Sequence, residues 1–368
     1  MMTSHMTVKL NVLRTVSLMI GLLACCGGGD IGAGADARPG TGGSGGHGGG
    51  SGGRVLDGGG DQAADDGGGG GSGGGQVGQD ATDGVMDIYV SDRPADAPGI
   101  LFHVANACPF DLWIHGEGQG AVLMPDGVRL HTGEAQDYVA PESWPAARVT
   151  AYLDVPPKDL ADKVEMTLEK KVDLGVLKKV INYNITYVDW LALPMEMVAL
   201  GTGGDCKQVG CYVPEAQVLA GCPPGLLSGK RCLSEGNFCS DPTNQAAAFC
   251  HALDAKVTQC AGDAQKYPMC AGAAGATTPQ VYSCAGSFFS GSPKWCAAIN
   301  RGMLDDPDNG DISLYYKNEP YNVYSKWVHG VCPGIYAFPY DDYGKTNESG
   351  FHSCTGGTQL NITFCPSG

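Results

Sequence analysis

Val331–Pro366 reads VCPGIYAFPYDDYGKTNESGFHSCTGGTQLNITFCP. Three cysteines punctuate it, Cys332, Cys354 and Cys365, and between the first two runs an aromatic segment, Tyr336, Phe338 and Tyr340, that ends in the acidic pair Asp341-Asp342. Aromatics at every second position suit an extended segment with one buried face, and Asp-Asp-Tyr-Gly is turn chemistry. The stretch closes on a strand ending Thr363-Phe364-Cys365-Pro366. Three cysteines, an aromatic run, paired aspartates and a terminal strand thus share one stretch.

The chain has 368 residues, but its composition shifts sharply near residue 98, so the length overstates the part that folds. What remains is enough for one large core, or for a core with a subdomain. Formal net charge is −16, and from Pro98 onward 28 Asp and Glu face 18 Lys and Arg. That balance disfavours nucleic acid and anionic membrane surfaces as partners. Sixteen cysteines are a hazard in a reducing cytosol, whereas an exported chain oxidises them into a covalent framework. Fourteen lie between Cys108 and Cys365, and no two of these have the Cys-x-x-Cys spacing of zinc ribbons or redox motifs, so neither a metal nor a cofactor is expected.

At the N-terminus Lys9 and Arg14 precede an apolar run, Val16 to Leu23, with the anatomy of an export signal and too short for a membrane span. Leu22-Leu23-Ala24-Cys25 has the pattern of a bacterial lipobox. Residues 1–25 are therefore expected to be a lipoprotein signal, with Cys25 lipidated and the protein anchored in a bacterial envelope, at the outer membrane or cell surface. An ordinary signal cut nearby is the alternative. Between Gly27 and Gly78, 27 of 52 residues are glycine, and an acidic stretch with Asp80, Asp83, Asp87, Asp92 and Asp96 follows. Such a segment cannot bury enough surface to offset the entropy of ordering it. Residues 26–98 are expected to be a disordered tether, and the membrane to be touched only through the lipid.

From Gly99 short apolar runs are punctuated by Gly, Pro and Asp, which argues for antiparallel β structure. Ile100–Asn106 and Leu112–His115 read as a hairpin around Cys108-Pro109-Phe110-Asp111. Val128–Tyr138 and Ala147–Leu153 continue the pattern. Val164, Met166 and Leu168 alternate with Glu165, Thr167 and Glu169, so Glu165 points away from the core. Within the cysteine-dense stretch that follows, Ser240-Asp241-Pro242 offers a cap and Phe249, Leu253 and Val257 recur every four residues, which reads as one helix of about four turns.

In their order and spacing, Cys332-Pro333, the aromatics running into Tyr340-Asp341-Asp342, Cys354 and the closing strand resemble the C-terminal signature of the thaumatin-like proteins. That family of disulfide-stapled β-sandwiches includes plant defence proteins and β-1,3-glucanases. ILFHVANACPFDLWIHGEG, from Ile100, resembles the family's opening strands, and Asn182–Trp190 followed by Leu193-Pro194-Met195 resembles its segment ending Asn-Leu-Pro-Met. The resemblance implies a mainly β domain over 99–368, an antiparallel β-sandwich from 99–205 and 332–368 with a disulfide-rich, partly helical insertion over 206–331. It also implies four disulfides, Cys108–Cys365, Cys206–Cys354, Cys211–Cys332 and Cys222–Cys232. Cys239, Cys250, Cys260, Cys270, Cys284 and Cys296 stay unassigned among fifteen connectivities.

Thaumatin-like proteins carry an acidic cleft between sandwich and insertion, the proposed site for β-1,3-glucan, so the resemblance implies a monomer with that polysaccharide as partner. Carried over by position, the family's glutamate falls on Glu165 in VEMTL, a later aspartate on Asp189 in TYVDW, and the C-terminal aspartate on Asp341, with Asp342 beside it. Glycoside hydrolysis needs two carboxyl groups, one protonated as acid and one ionised. Glu165 is the expected acid, its pKa raised by neighbouring carboxylates. Two departures stand out: the family's first aspartate aligns with Asn184, and the cysteine-flanked loop carrying its arginine is absent between Tyr152 and Val164. Asparagine cannot exchange a proton near neutral pH. The expectation is therefore glucan binding with weak or no endo-β-1,3-glucanase activity. An active endo-glucanase and a non-enzymatic surface or defence protein are the alternatives. Tyr187, Trp190 and Tyr340 offer aromatic faces to sugar rings, Trp190 being the best exposed candidate. Asn184 and Asp189 have opposite parity, so a bulge or strand end must intervene if both face one cleft. Ser325, His329 and Asp341 lack any nucleophile elbow to support a triad. Asn347-Glu348-Ser349 and Asn361-Ile362-Thr363 fit glycosylation sequons.

Overall fold

The computed structural model describes residues 88–367 apart from 93, 95–96, 125–126, 155–157, 159, 264, 267–275, 286–292 and 345–349. The expectations for Cys25, the signal and the glycine tether lie outside these residues, as do Cys270, the side chain of Cys260 and the sequon at Asn347.

Two large sheets dominate. The first has five strands in the spatial order Gln208–Cys211 (β11), Met195–Gly201 (β10), Gly357–Phe364 (β15), Ile100–Asn106 (β1) and Ala135–Ala140 (β5). The second runs His352–Thr355 (β14), Val176–Thr186 (β8), Leu160–Asp173 (β7), Trp144–Tyr152 (β6), Leu112–Gly118 (β2) and Ala121–Val122 (β3), with Val128–Leu130 (β4) also paired to β2. Phe102, Val104, Leu360, Ile362 and Phe364 of the first sheet share one buried cluster with Ile114, Val149, Val164 and Ile185 of the second. The alternation read in Val164–Glu169 holds: Val164, Met166 and Leu168 are buried in that core and Lys163, Glu165 and Thr167 lie on the opposite face. By contrast β8 is buried at every residue from Val180 to Thr186, so its C-terminal half is covered on both faces.

The first and last strands lie side by side and parallel, Val104 opposite Ile362, and the Cys108–Cys365 disulfide joins their ends. A link across 257 residues removes much conformational freedom from the unfolded chain, by up to about 5 kcal/mol on the chain-entropy view. Ile100–Asn106 and Leu112–His115 are not a hairpin. β1 pairs with β5 and β15, whereas β2 pairs with β6, so the Cys108–Asp111 connection crosses from one sheet to the other.

Six disulfides occur among the described residues. Besides Cys108–Cys365 they are Cys206–Cys354, Cys211–Cys332, Cys222–Cys232, Cys239–Cys250 and Cys284–Cys296. Such a framework belongs to an oxidising compartment, and the protein is exported. A small sheet of Leu227–Ser228 (β12), Arg231–Leu233 (β13) and Trp190–Leu191 (β9) ties the insertion to the strand that follows β8. Helices Glu215–Gly221 (α1), Glu235–Ser240 (α2), Asp254–Gly262 (α3), Thr278–Tyr282 (α4), Pro293–Asn300 (α5) and Val323–Val331 (α6) lie beyond it. The single long helix expected from Ser240 is absent. Ser240 ends α2, Asp241 accepts from Thr243 N in a turn, and Phe249 and Leu253 fall in a 3₁₀ turn and at the cap of α3. Leu253 and Val257 still share a small second core with Val281, Trp295 and Ile299, so the periodicity marked a common buried face and not a continuous helix.

The packed chain also begins earlier than 99. Tyr89 stacks on His103 with ring centroids 4.0 Å apart, and its carbonyl accepts from Gln359 Nε2 at 2.7 Å and Asn361 Nδ2 at 2.8 Å. Asn361 is thereby buried in the sheet, which leaves its sequon no room for a glycan.

Candidate functional site

On the outer face of the seven-stranded sheet, four strands set a row of polar side chains abreast: Glu117 of β2, Arg148 of β6, Glu165 of β7 and Asn184 of β8 are successive cross-strand neighbours. Arg148 forms an ion pair with Glu117 and sits directly across from Glu165. Two residues along β7, hence on the same face, Lys163 reaches Asp189 Oδ2 at 2.5 Å. Strand β8 has ended at Thr186, which frees Asp189 from strand parity and resolves how it shares a face with Asn184. The insertion holds Asp189 from the other side. Asn237 of α2 donates to Oδ1 at 3.1 Å, and Ser234 N donates to the Asp189 carbonyl at 2.8 Å. Glu165 and Asp189 therefore stand at the seam between sheet and insertion with one ammonium between them.

Their environments differ. Burial raises the Glu165 carboxyl above the usual carboxylate range; Lys163 and Arg148 oppose that rise and Asp189 adds to it. The expected direction is right, but desolvation is the first cause and the neighbouring carboxylate a lesser one. Burial pulls the Lys163 ammonium down, and Asp189 and Glu165 more than restore it. The Asn184 side chain is 9% exposed, and its Oδ1 has no hydrogen-bond partner among the described residues. A buried carbonyl oxygen without a donor is costly, and it lies beside the one carboxyl in the row whose proton burial favours.

Asp341 belongs to a different network. Its Oδ2 accepts from His329 Nε2 at 2.7 Å and from Ala337 N at 2.9 Å, and Arg301 Nη2 reaches its carbonyl at 2.5 Å and Oδ1 at 3.5 Å. Arg301 is sandwiched by the rings of Tyr315 and Phe338, and the other nitrogen of His329 meets the Tyr316 hydroxyl at 2.7 Å. Burial lowers the His329 pKa, but the Asp341 charge and hydrogen bond raise it further, so the net shift is upward. Asp341 is 5% exposed, and no interaction among the described residues joins it to Glu165 or Asp189. Ser325 donates to Ala337 O instead of to His329, so the three do not line up as a triad.

Of the expected sugar contacts, Tyr187 is fully buried and donates to Leu193 O at 2.7 Å; it is core, not surface. Trp190 is half-buried, its Nε1 donating to Ala161 O at 2.6 Å and its ring covered by Arg231. Tyr340 packs against the second core, with Asp342 half-buried beside it. Lys163, Arg148 and Asn237 escaped the sequence reading. Lys163 was within reach, because a residue two positions from Glu165 on a strand shares its face. The other two sit on different elements and carry no local signal.

Comparison with known proteins agrees with this architecture. Residues 243–364 match the family model for β-1,3-glucanase, a stretch that includes Asp341 but neither Glu165 nor Asp189. The chain is 27% identical over 184 residues to a glucan endo-1,3-β-glucosidase of Prunus avium, covering 50% of this chain and 49% of that protein. It is 26% identical over 184 residues, with the same coverage, to thaumatin-like protein 1 of Pyrus pyrifolia. It thus spans about half the length of these relatives. A crystal structure of a family 64 β-1,3-glucanase domain from Clostridium beijerinckii shares the fold, with a TM-score of 0.55 at 14% identity over 74% of this chain and 99% of that one. The chain is related to thaumatin-like proteins and β-1,3-glucanases at low identity.

Proposed function

We propose that the protein is an exported, thaumatin-like β-sandwich that binds β-1,3-glucan along the outer face of its seven-stranded sheet and cleaves it slowly by endo-hydrolysis. The observation that carries this reading is the pair Glu165 and Asp189 at the seam. One carboxyl is pushed up by burial and the other is held against an ammonium. A desolvated carboxyl beside a second one held in an ion pair supplies the two groups that glycoside hydrolysis requires. Glu165 is the acid that protonates the leaving oxygen, and Asp189 the ionised partner. The relatives named for β-1,3-glucan hydrolysis support that polysaccharide as the ligand.

Three features argue for slow turnover. Lys163 holds Asp189 tightly, Asn184 supplies no carboxyl, and Asp341 is spent on its own network. Arg148 places a guanidinium beside Glu165 from the neighbouring strand, without the loop that carries the arginine in thaumatin-like proteins. Pull-down on insoluble β-1,3-glucan, with reducing-sugar release from soluble glucan measured in parallel, tests the reading. Retention with slow release is expected. Retention without release would leave a binding protein, and the loss of both would overturn the proposal in favour of a non-enzymatic surface protein. Lipid anchoring through Cys25 remains part of the proposal, checked by detergent partitioning of wild type against Cys25→Ser.

A further inference from the structure

Strands β7 and β8 outrun their neighbours. The last β6 pair with β7 is at Leu168 and the last β14 pair with β8 is at Val180, and beyond Lys179, whose carbonyl still accepts from Gly356 N at 2.7 Å, the two strands pair only with each other among the described residues. The tip is a two-residue turn, Leu174-Gly175, with φ of +48° and +80°. That is type I′ geometry, which Asn-Gly satisfies and leucine does not. Leu174 is nonetheless 96% exposed, and Val172, Val176 and Leu177 beside it are exposed too. Behind them, Lys171 stands across from Lys178, and Lys170 across from Lys179. Like charges directly opposite each other destabilise a ribbon. Strained backbone, exposed apolar side chains and facing lysines are three local costs concentrated in one hairpin, whose outer end from Lys171 to Lys178 finds ladder partners only in itself among the described residues.

The charges around it are all accounted for. Lys170 and Lys179 reach Glu142, Lys171 reaches Glu169, and Lys178 reaches Asp173. Lys179 is further held by the carbonyls of Ala97 and Gly99, which leaves Lys170, Lys171 and Lys178 as exposed pairs of the kind that contribute little and exchange partners readily. The net charge of −16 does not decide what the tip can approach, because charges more than about 8 Å away are screened at physiological salt.

We propose that this hairpin is a lipid-contact element: Val172, Leu174, Val176 and Leu177 enter the interface of an anionic phospholipid bilayer, while Lys170, Lys171 and Lys178 engage headgroup phosphates. Long lysine stems let the ammonium stay at phosphate depth while the apolar tip goes deeper. The Lys178 ammonium has three donors, so it bridges Asp173 Oδ2, which it already meets at 2.6 Å, and a phosphate at the same level. This contact is independent of the glucan site, which lies further along the same strands.

The test is vesicle flotation of the processed chain, from residue 25 onward and carrying Cys25→Ser, so that neither the apolar run Val16–Leu23 nor an acyl chain contributes. Vesicles of phosphatidylcholine alone are compared with vesicles that also contain phosphatidylglycerol. Binding to the anionic vesicles, weaker on phosphatidylcholine and weakened by salt, is expected. Leu174→Asn should cut partitioning roughly tenfold or more. The same change should hold or raise the thermal midpoint, since asparagine suits the turn, an outcome that a structural role for Leu174 would not give. Lys171→Gln with Lys178→Gln should remove most of the salt dependence. No flotation of the parent protein, as expected if the hairpin docks on another protein, would overturn the proposal. So would unchanged flotation of Leu174→Asn.

Discussion

Two carboxyl-bearing regions, both legible in the sequence as acidic candidates, turn out to be built on opposite principles. Around Asp341 every acceptor is met: an imidazole, a guanidinium and a backbone amide converge on a side chain that is nearly all buried. Around Glu165 the arrangement is unfinished. Burial raises its pKa, Arg148 and Lys163 stand nearby, and among the described residues the Asn184 Oδ1 beside it has no donor. A saturated carboxylate stabilises the fold. An under-partnered one, desolvated at the edge of a seam, is free to act on something that arrives.

The sharpest way to break this contrast is Glu165→Gln. If Glu165 is the acid, its loss should lower the hydrolysis rate by roughly two to four orders of magnitude, with glucan retention on a pull-down nearly unchanged. Equal loss of both, or loss of neither, would place the chemistry elsewhere. Asp341→Ala should show the reverse pattern. Removing one partner of a buried ion pair strands the other, so unfolding free energy should drop by about 3–5 kcal/mol in denaturant titration. Activity at temperatures where the variant stays folded should change far less than for Glu165→Gln.

A third buried carboxyl extends the comparison. Glu235 is fully buried, accepts from Val323 N at the start of α6, and is pushed by burial up to about 8. Its folded pKa lies above its unfolded one. The folded state therefore holds an extra proton in the window from about 4.5 to about 8, and stability that is fully present below that window is lost progressively as pH rises through it. The loss amounts to a few kcal/mol. Glu235→Gln keeps the acceptor and removes the titration, so thermal midpoints measured from pH 5 to 9 should flatten.

What the sequence disclosed was whatever depended on local pattern. Alternation in Val164–Leu168 assigned the faces of β7, while the placing of the first and last strands in one fold came from the family resemblance carried by the order of cysteines and aromatics from Cys332 to Cys365. What it hid was long-range. Nothing near Asp341 signals that Arg301, 40 residues earlier, will fill its coordination, and nothing near Cys108 signals that the chain crosses between sheets there. The idea of one cleft holding Glu165, Asp189 and Asp341 came from likeness to other proteins. Geometry unites only the first two, because a turn and a helix of the insertion claim the third.

Asn184→Asp is the smallest change and the most discriminating, because it alters only what stands beside Glu165. The present amide offers a buried carbonyl oxygen that no group among the described residues satisfies, so a carboxyl of the same shape needs little repacking. Ionised, it would add a negative charge next to Glu165 and raise the Glu165 pKa further. Each pKa unit corresponds to about 1.4 kcal/mol between protonation states, so a modest gain in the protonated fraction near neutral pH is expected. Hydrolysis should rise by roughly two- to tenfold on that basis, with the alkaline limb of the pH–rate profile moving to higher pH and glucan affinity little changed. If the rate falls instead while the fold is intact, the amide itself is holding Glu165 or the sugar. The unfinished side of the contrast would then be complete in the bound state, with substrate as the missing donor.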